Sequence, residues 1–251
     1  MLQGLQRFLH KDVSIVKCDG NGLVALEKSR SVLSHPNEKN DEQNSLLGSP
    51  YDFEKQAYVC EGFGNVYLLN RLDAPVSGLI LVGLNSKVAE AVKIAFENRK
   101  ISKQYVALVK GYPRSKNAVW RSRLDKNFVG KSIKMSSGDG LFAETKCSWV
   151  ESFRACGVTL SILNLFPVTG RTHQLRMHCF QNSLPIVGDE TYGDFRFNAI
   201  FRKNFENYRL FLHSEKISLA YTLEGKNFTF HADSMTDFSA FLKNFSEKAN
   251  Q

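Results

Sequence analysis

The alternation of apolar and polar segments along this chain suggests more strands than helices, mostly joined by short turns. Residues 12–33 hold two such runs around Asp19-Gly20-Asn21-Gly22, a turn composition, and read as a short α/β or hairpin entry. Ser34 to Pro50 is polar, with two prolines, and reads as a surface loop. Val76 to Leu84 is rich in Leu, Ile and Val and too short for a typical helix, so a buried strand is predicted. Behind Asn85-Ser86, Val88, Ala91, Val92, Ala95 and Phe96 recur at helical spacing, giving an amphipathic helix with a polar cap. Tyr105–Lys110, 142–150 and 157–166 read as strands, the last two joined at Cys156-Gly157. A helix begins after Gly170-Arg171, with Thr172 as its N-cap. Residues 208–222 and 227–232 form a late hairpin around Gly225. A final helix capped by Asp233 is predicted, with Phe238, Phe241, Leu242 and Phe245 on one apolar face. Strands outnumber helices and most joints are short. That predicts an α+β fold with a mixed, largely antiparallel sheet flanked by helices, rather than a doubly wound fold. Without a strong linker, 1–251 is expected to be one domain.

Composition narrows the class. At 251 residues, with 43 % hydrophobic and 23 % charged residues, the chain resembles an ordinary globular protein rather than a disordered or fibrous one. No stretch approaches about 18 consecutive apolar residues, so no membrane span is expected. The five cysteines are odd in number and form no CxxC pair, which argues against a disulfide framework and fits a reducing, cytoplasmic setting. Leu2, Leu5, Phe8 and Leu9 beside Arg7 and Lys11 faintly suggest a transit peptide, but the segment is short and Ser-poor and reads as a first helix.

The formal net charge of +8 is unevenly placed. Residues 93–134 carry 12 basic and 2 acidic side chains, net +10, so the rest of the chain is slightly acidic. Tyr105, Tyr112, Trp120 and Phe128 are interleaved with this charge, the footprint of a nucleic-acid binder. Within it, Lys116, Lys126 and Lys131 are candidate phosphate contacts.

Four segments carry candidate chemistry. Asn70-Arg71-Leu72-Asp73-Ala74-Pro75-Val76-Ser77-Gly78 places a carboxylate beside an arginine at the entrance to the buried strand, where the cation can hold the acid ionised. Arg123-Leu124-Asp125 repeats the tripeptide without the following Ser-Gly and reads as chance. The second segment is Lys103-Gln104-Tyr105-Val106-Ala107. The third, Thr169-Gly170-Arg171-Thr172-His173-Gln174-Leu175-Arg176-Met177-His178, puts an arginine at a helix start, a setting suited to anions. His173, His178 and Cys179 lack a standard zinc spacing, and no metal is expected. The fourth, Leu184-Pro185-Ile186-Val187-Gly188-Asp189-Glu190-Thr191-Tyr192-Gly193, reads as a loop whose two glycines need special backbone angles.

In this order and spacing the four segments resemble the RluA-type family of RNA pseudouridine synthases, whose pattern runs His-Arg-Leu-Asp with Thr-Ser-Gly, Lys-x-Tyr-x-Ala, Gly-Arg-Thr-His-Gln-Ile/Leu-Arg-x-His and Pro-Ile-x-Gly-Asp-x-x-Tyr-Gly. Leu210-Phe211-Leu212-His213-Ser214 is similar to the family's late strand. The likeness covers a core of about residues 12–245. Asn70 stands where the family has His, Val76 where it has Thr, and Glu27-Lys28-Ser29 where it has Asn-Lys-Pro; Ser34-His35-Pro36 keeps that motif's downstream end. No N-terminal segment looks like the S4 RNA-binding module of some relatives.

The resemblance implies isomerisation of uridine in ribosomal or transfer RNA to pseudouridine. The base leaves C1′, turns and rejoins through C5, with the nucleotide flipped into a pocket and no cofactor. It gives the essential carboxylate to Asp73, as nucleophile at C1′ or base at the 2′ position. It gives base stacking to Tyr105, and pairing with the aspartate to Arg176. Arg71, Arg171, Thr172, His173 and Gln174 become candidate RNA contacts, and a monomer with no membrane partner is expected. Two rivals remain: a catalytically silent RNA-binding module or chaperone on this fold, and a basic enzyme for phosphorylated small molecules. The absence of a Gly-rich phosphate loop before a helix argues against the second.

Overall fold

Asp19-Gly20-Asn21-Gly22 turns the chain between β1 (Val13–Cys18) and β2 (Leu23–Lys28), which pair antiparallel from Val13↔Lys28 to Cys18↔Val24. The Asp19 carboxylate builds this turn by accepting from the Asn21 and Leu23 amides. The computed structural model describes residues 2–129, 132–205 and 208–235. They fall into two compact units, 2–103 with 214–234, and 104–213 with Met235.

In the first unit, β2 pairs antiparallel with β6 (Ser77–Gly83), whose seven residues are all buried, as the unbroken apolar run predicts. A short meander, β3 (Tyr51–Asp52), β4 (Ala57–Cys60) and β5 (Gly64–Leu68), leads into the other edge of β6. The late hairpin forms β12 (Leu212–Leu223) and β13 (Lys226–Asp233), with β12 next to β6. Gly78 permits this: its φ is +111°, and a Cβ there would collide with the Ser214 backbone. The helix α2 (Ser86–Glu97) has Asn85 as its cap, accepting from the Val88 amide. It buries Val88, Ala91, Val92 and Ala95 against Leu23, Ala25, Leu79, Leu81, Ile217 and Leu219. The helix at the N-terminus, α1, is brief (Leu2–Gln6).

The second unit carries the strand order β7 (Ile101–Lys110), β11 (Val158–Pro167), β10 (Leu141–Ala155), β8 (Asn117–Val129), β9 (Ser132–Ser137), all antiparallel. The helices α3 (Gln174–Gln181) and α4 (Phe195–Asn204) belong to it. Phe197, Phe201 and Phe211 pack with Val106, Leu108, Leu160, Ile162 and Val187.

Several expectations change. Ser34–Pro50 is not simply a surface loop: it contains a 3-10 turn (Lys39–Asn44), and Leu46 and Leu47 are fully buried. The helix expected to be capped by Thr172 starts one residue later, at Gln174, because His173 takes a left-handed conformation (φ 52°) at the cap position. The basic window runs from the end of α2 through β7 and β8 into the start of β9. Of its interleaved aromatics, Tyr105 and Trp120 are core residues. Asp233 ends β13, and the helix expected after it lies outside the described residues.

Candidate active site

The Asp73 loop hangs between β5 and β6, and its neighbours in the first unit hold it from several sides. The Ser34 hydroxyl donates to the Leu72 carbonyl (2.7 Å) and accepts from the Leu72 amide (3.0 Å). The Asn70 side-chain oxygen accepts from the Leu81 amide (2.7 Å). A turn closes with the Val76 amide on the Asp73 carbonyl, and the Ser31 amide reaches the Ala74 carbonyl. Beneath lies Lys28, fully buried, whose ammonium donates to the carbonyls of Ser29, Val32 and Ala74. A buried lysine is rare unless its donors are used. Here they tie the end of β2 to the residue after Asp73. The side chain of Asp73 is half-buried and Arg71 is exposed.

Lys103, which opens the second motif, lies 5.9 Å from the Phe96 ring centroid, and burial lowers its pKa. Tyr105 is buried in β7 opposite Leu165 of β11.

In the second unit the third and fourth motifs close on each other. Arg176, on α3, is 5 % exposed and makes a two-pronged ion pair with Asp189, Nε to Oδ2 and Nη2 to Oδ1, each 2.8 Å. The Nη2 group also donates to the Thr191 hydroxyl. Burial pushes the Asp189 pKa up, but the Arg176 bonds and charge and the amides of Tyr192 and Thr191 outweigh it, so the carboxyl stays below its usual range. The guanidinium carbon of Arg176 lies 5.3 Å from the Tyr192 ring centroid. The Tyr192 hydroxyl accepts from the Met135 amide and shares a hydrogen bond with His173 Nδ1. Of the two loop glycines only Gly188 has a special angle (φ +80°); Gly193 is required for space, since a Cβ would strike the Asp189 carbonyl.

Gln174 fills the place that a cap would take. Its Oε1 accepts from the Thr169 hydroxyl and the Arg171 amide, and its Nε2 donates to the Glu144 carbonyl and the Thr145 hydroxyl. At 3 % exposure it braces the loop. Arg171 is exposed, with Nε on the Phe142 carbonyl, while Thr172 and His173 are half-buried. His178 is bracketed by the Thr145 and Ser122 hydroxyls. Among the described residues no group of three or more His, Cys, Asp and Glu side chains is placed to hold a metal ion, and no helix is long and apolar enough to cross a membrane.

Lys116 of the basic window lies 5.7 Å from the ring of Trp149, against which Tyr112 packs, itself 64 % exposed. The Trp149 indole donates to Ser152, which bonds Ser161, which donates to the Gly111 carbonyl. Two other charges of the window are paired with carboxylates outside it, Lys110 with Asp194 and Arg121 with Glu144. Lys131 and the side chain of Lys126 lie outside the described residues. Asp125 packs against the turn at 138–140, where a Cβ on Gly138 or Gly140 would strike its carboxylate.

Residues 22–181 match the family model described as RNA pseudouridylate synthase. The chain belongs to the RNA pseudouridylate synthase family. This synthase is 36 % identical over 177 residues to a tRNA pseudouridine synthase C of Yersinia pestis, covering 67 % of this chain and 68 % of the relative. It is 31 % identical over 204 residues to the protein of that name from Vibrio cholerae, covering 78 % and 80 %. A ribosomal large subunit pseudouridine synthase C of V. cholerae is 32 % identical over 165 residues, covering 66 % of this chain and 50 % of the relative. The fold of the synthase is shared with the human RNA pseudouridylate synthase domain containing 1 structure (TM-score 0.65, 20 % identity, 93 % of this chain and 94 % of the other). It is thus an isomerase of the RluA type, on the mixed, largely antiparallel fold of that family.

Asp189 is the site residue that sequence reasoning missed. Its signal was available: an acid directly after Gly188 in the fourth motif, thirteen residues after Arg176 of the third.

Proposed function

We propose that the synthase converts particular uridines of transfer or ribosomal RNA to pseudouridine, with Asp73 as the essential carboxylate, Tyr105 stacked on the target base and Arg176 as the cation paired with Asp73. The observation that carries this reading is the family match over residues 22–181, a stretch that includes all three positions. The geometry within each unit agrees with such roles. The Asp73 loop is fixed by Ser34, Asn70 and Lys28, the pre-organisation a reacting carboxylate needs. Arg176 is aimed by its fork on Asp189 rather than left to sample rotamers. Arg71 and Arg171, both exposed, are the proposed contacts around the flipped nucleotide.

Asp73→Asn keeps the size of the side chain and removes its charge. Digestion of treated bulk tRNA and rRNA to nucleosides is expected to show no pseudouridine above background for this variant, with RNA affinity retained. Asp125→Asn, in the second Arg-Leu-Asp, is expected to match the unaltered enzyme. Turnover by Asp73→Asn, or its loss in Asp125→Asn, would overturn the assignment. An unaltered enzyme that binds RNA and makes no pseudouridine under single-turnover conditions would favour the silent-module reading.

A further inference from the structure

The β3–β4 hairpin carries an aromatic cluster that belongs to none of the four motifs. Phe53 is 59 % exposed, although a phenylalanine gains most by burial. Its ring stands across those of His35 (81°, 5.7 Å) and Tyr51 (83°, 5.1 Å), while His35 and Tyr51 stack on each other (18°, 5.1 Å). Tyr58 anchors the group from the core: it is fully buried, packs edge-on to Tyr51 at 5.0 Å, and donates its hydroxyl to the Ser34 carbonyl. His35 Nδ1 donates to the Pro36 carbonyl, which fixes the imidazole. The rings are therefore held before any partner arrives.

Two observations tie this surface to the Asp73 loop within the same unit. Ser34, the residue before His35, is hydrogen-bonded in both directions to Leu72, the residue before Asp73. Burial raises the Tyr51 hydroxyl pKa, and the charge of Arg71 is near enough to oppose it. An exposed ring, Phe53, with the half-buried His35 and Tyr51 behind it and a guanidinium nearby, suits a single-stranded nucleic acid: every base has a π-face, and the cation answers the phosphate. The neighbouring carboxylate does not spoil this, because Asp52 accepts from the Glu54 and Lys55 amides and pairs with the Lys55 ammonium at 3.1 Å.

We propose that His35 and Phe53, backed by Tyr51, form a stacking platform for an unpaired base of the RNA, close along the strand to the nucleotide that reacts at Asp73. The proposal rests on the RNA-modifying reading, and its test separates the two. Binding of the full chain to a fluorescein-labelled oligoadenylate strand is compared with binding to the same strand annealed to oligouridylate. Phe53→Ala is expected to weaken single-strand binding about tenfold and duplex binding by less than about twofold. Phe53→Trp is expected to keep wild-type affinity, and its added emission, above that of Trp120 and Trp149, to be quenched by the single strand and not by the duplex. Unchanged single-strand affinity in Phe53→Ala, or an unquenched Phe53→Trp variant at saturation, overturns the platform; a surface that serves a protein partner gives that result. An unaltered enzyme that makes no pseudouridine sinks the functional reading alone, and the oligonucleotide comparison still decides the platform.

Discussion

His178 is 1 % exposed between two hydroxyls, Thr145 on Nδ1 and Ser122 on Nε2. A neutral imidazole has one donor and one acceptor nitrogen, and hydroxyls rotate to serve either, so the neutral ring is satisfied and the cation is not. Burial accordingly pushes its pKa down to about 4. In the unfolded chain the group titrates near 6.5, so between those values the unfolded state binds the extra proton and stability is lost as the pH is lowered. The full effect, present above about pH 6.5 and lost as pH falls through about 4, is about 3 kcal/mol. Urea unfolding is expected to show the stability advantage of the unaltered protein over His178→Asn shrinking by up to that amount between pH 7 and pH 4. The depressed carboxyl of Asp189 also costs stability in acid, but equally in both proteins. A constant difference across the range would mean that His178 is not held neutral. The ring was visible in the sequence only as a motif member and a rejected metal ligand. Its two hydroxyl partners lie 33 and 56 residues away, a separation no local pattern discloses.

Elements built from local physics were legible, and those built from distant partners were not. The Asp19–Gly22 turn, the apolar β6 and the Asn85-capped α2 each answer to their own residues, and each forms where the pattern puts it. The short strands β3, β4 and β5 have too few residues for a period to show, and the basic window hid its hairpin behind its charge. The start of α3 moved because Gln174, not Thr172, ties up the loose groups before the helix. The fourth motif illustrates the difference most sharply through its glycine. Gly188 and Gly225 share nearly the same φ, +80° and +77°, but a Cβ on Gly188 would collide with the Arg209 carbonyl, while nothing lies within 4 Å of one on Gly225. Gly225→Ala should then cost only the left-handed backbone term, about 1 kcal/mol, at a hairpin tip. Gly188→Ala must also displace the 187–189 turn from Phe211 and Arg209, and is expected to cost more than about 3 kcal/mol. Thermal unfolding of the pair tests this. Equal losses would show that the Asp189 loop shifts freely, and that Arg176 is not rigidly clamped.

At the scale of the whole molecule the balance of charge decides how RNA is first met. The chain is +8 overall, and its excess comes from residues 93–134. Counting from sequence overstates what that window offers to phosphate, because Lys110 and Arg121 are matched to Asp194 and Glu144, carboxylates that lie outside it. Lys116, resting over Trp149 beside the exposed Tyr112, remains available in the described part of the window. Each phosphate neutralised contributes about 0.7 to the slope of log affinity against log salt on single strands and about 0.9 on duplex. Replacing Lys116, Lys126 and Lys131 together by Gln is therefore expected to flatten the slope for bulk tRNA by roughly 2. Arg121→Gln should flatten it by much less than one contact's share, since its charge is already answered at 2.7 Å by Glu144. Pseudouridine formation at saturating RNA should survive in both proteins, because neither change touches the proposed catalytic positions. Filter-binding titrations across salt give both slopes. If the triple variant keeps the wild-type slope, the window is a solvated face. Phosphate contacts must then be sought at Arg171 and Arg196, which lie outside it, because Arg202 pairs with Glu190 and packs on Tyr208.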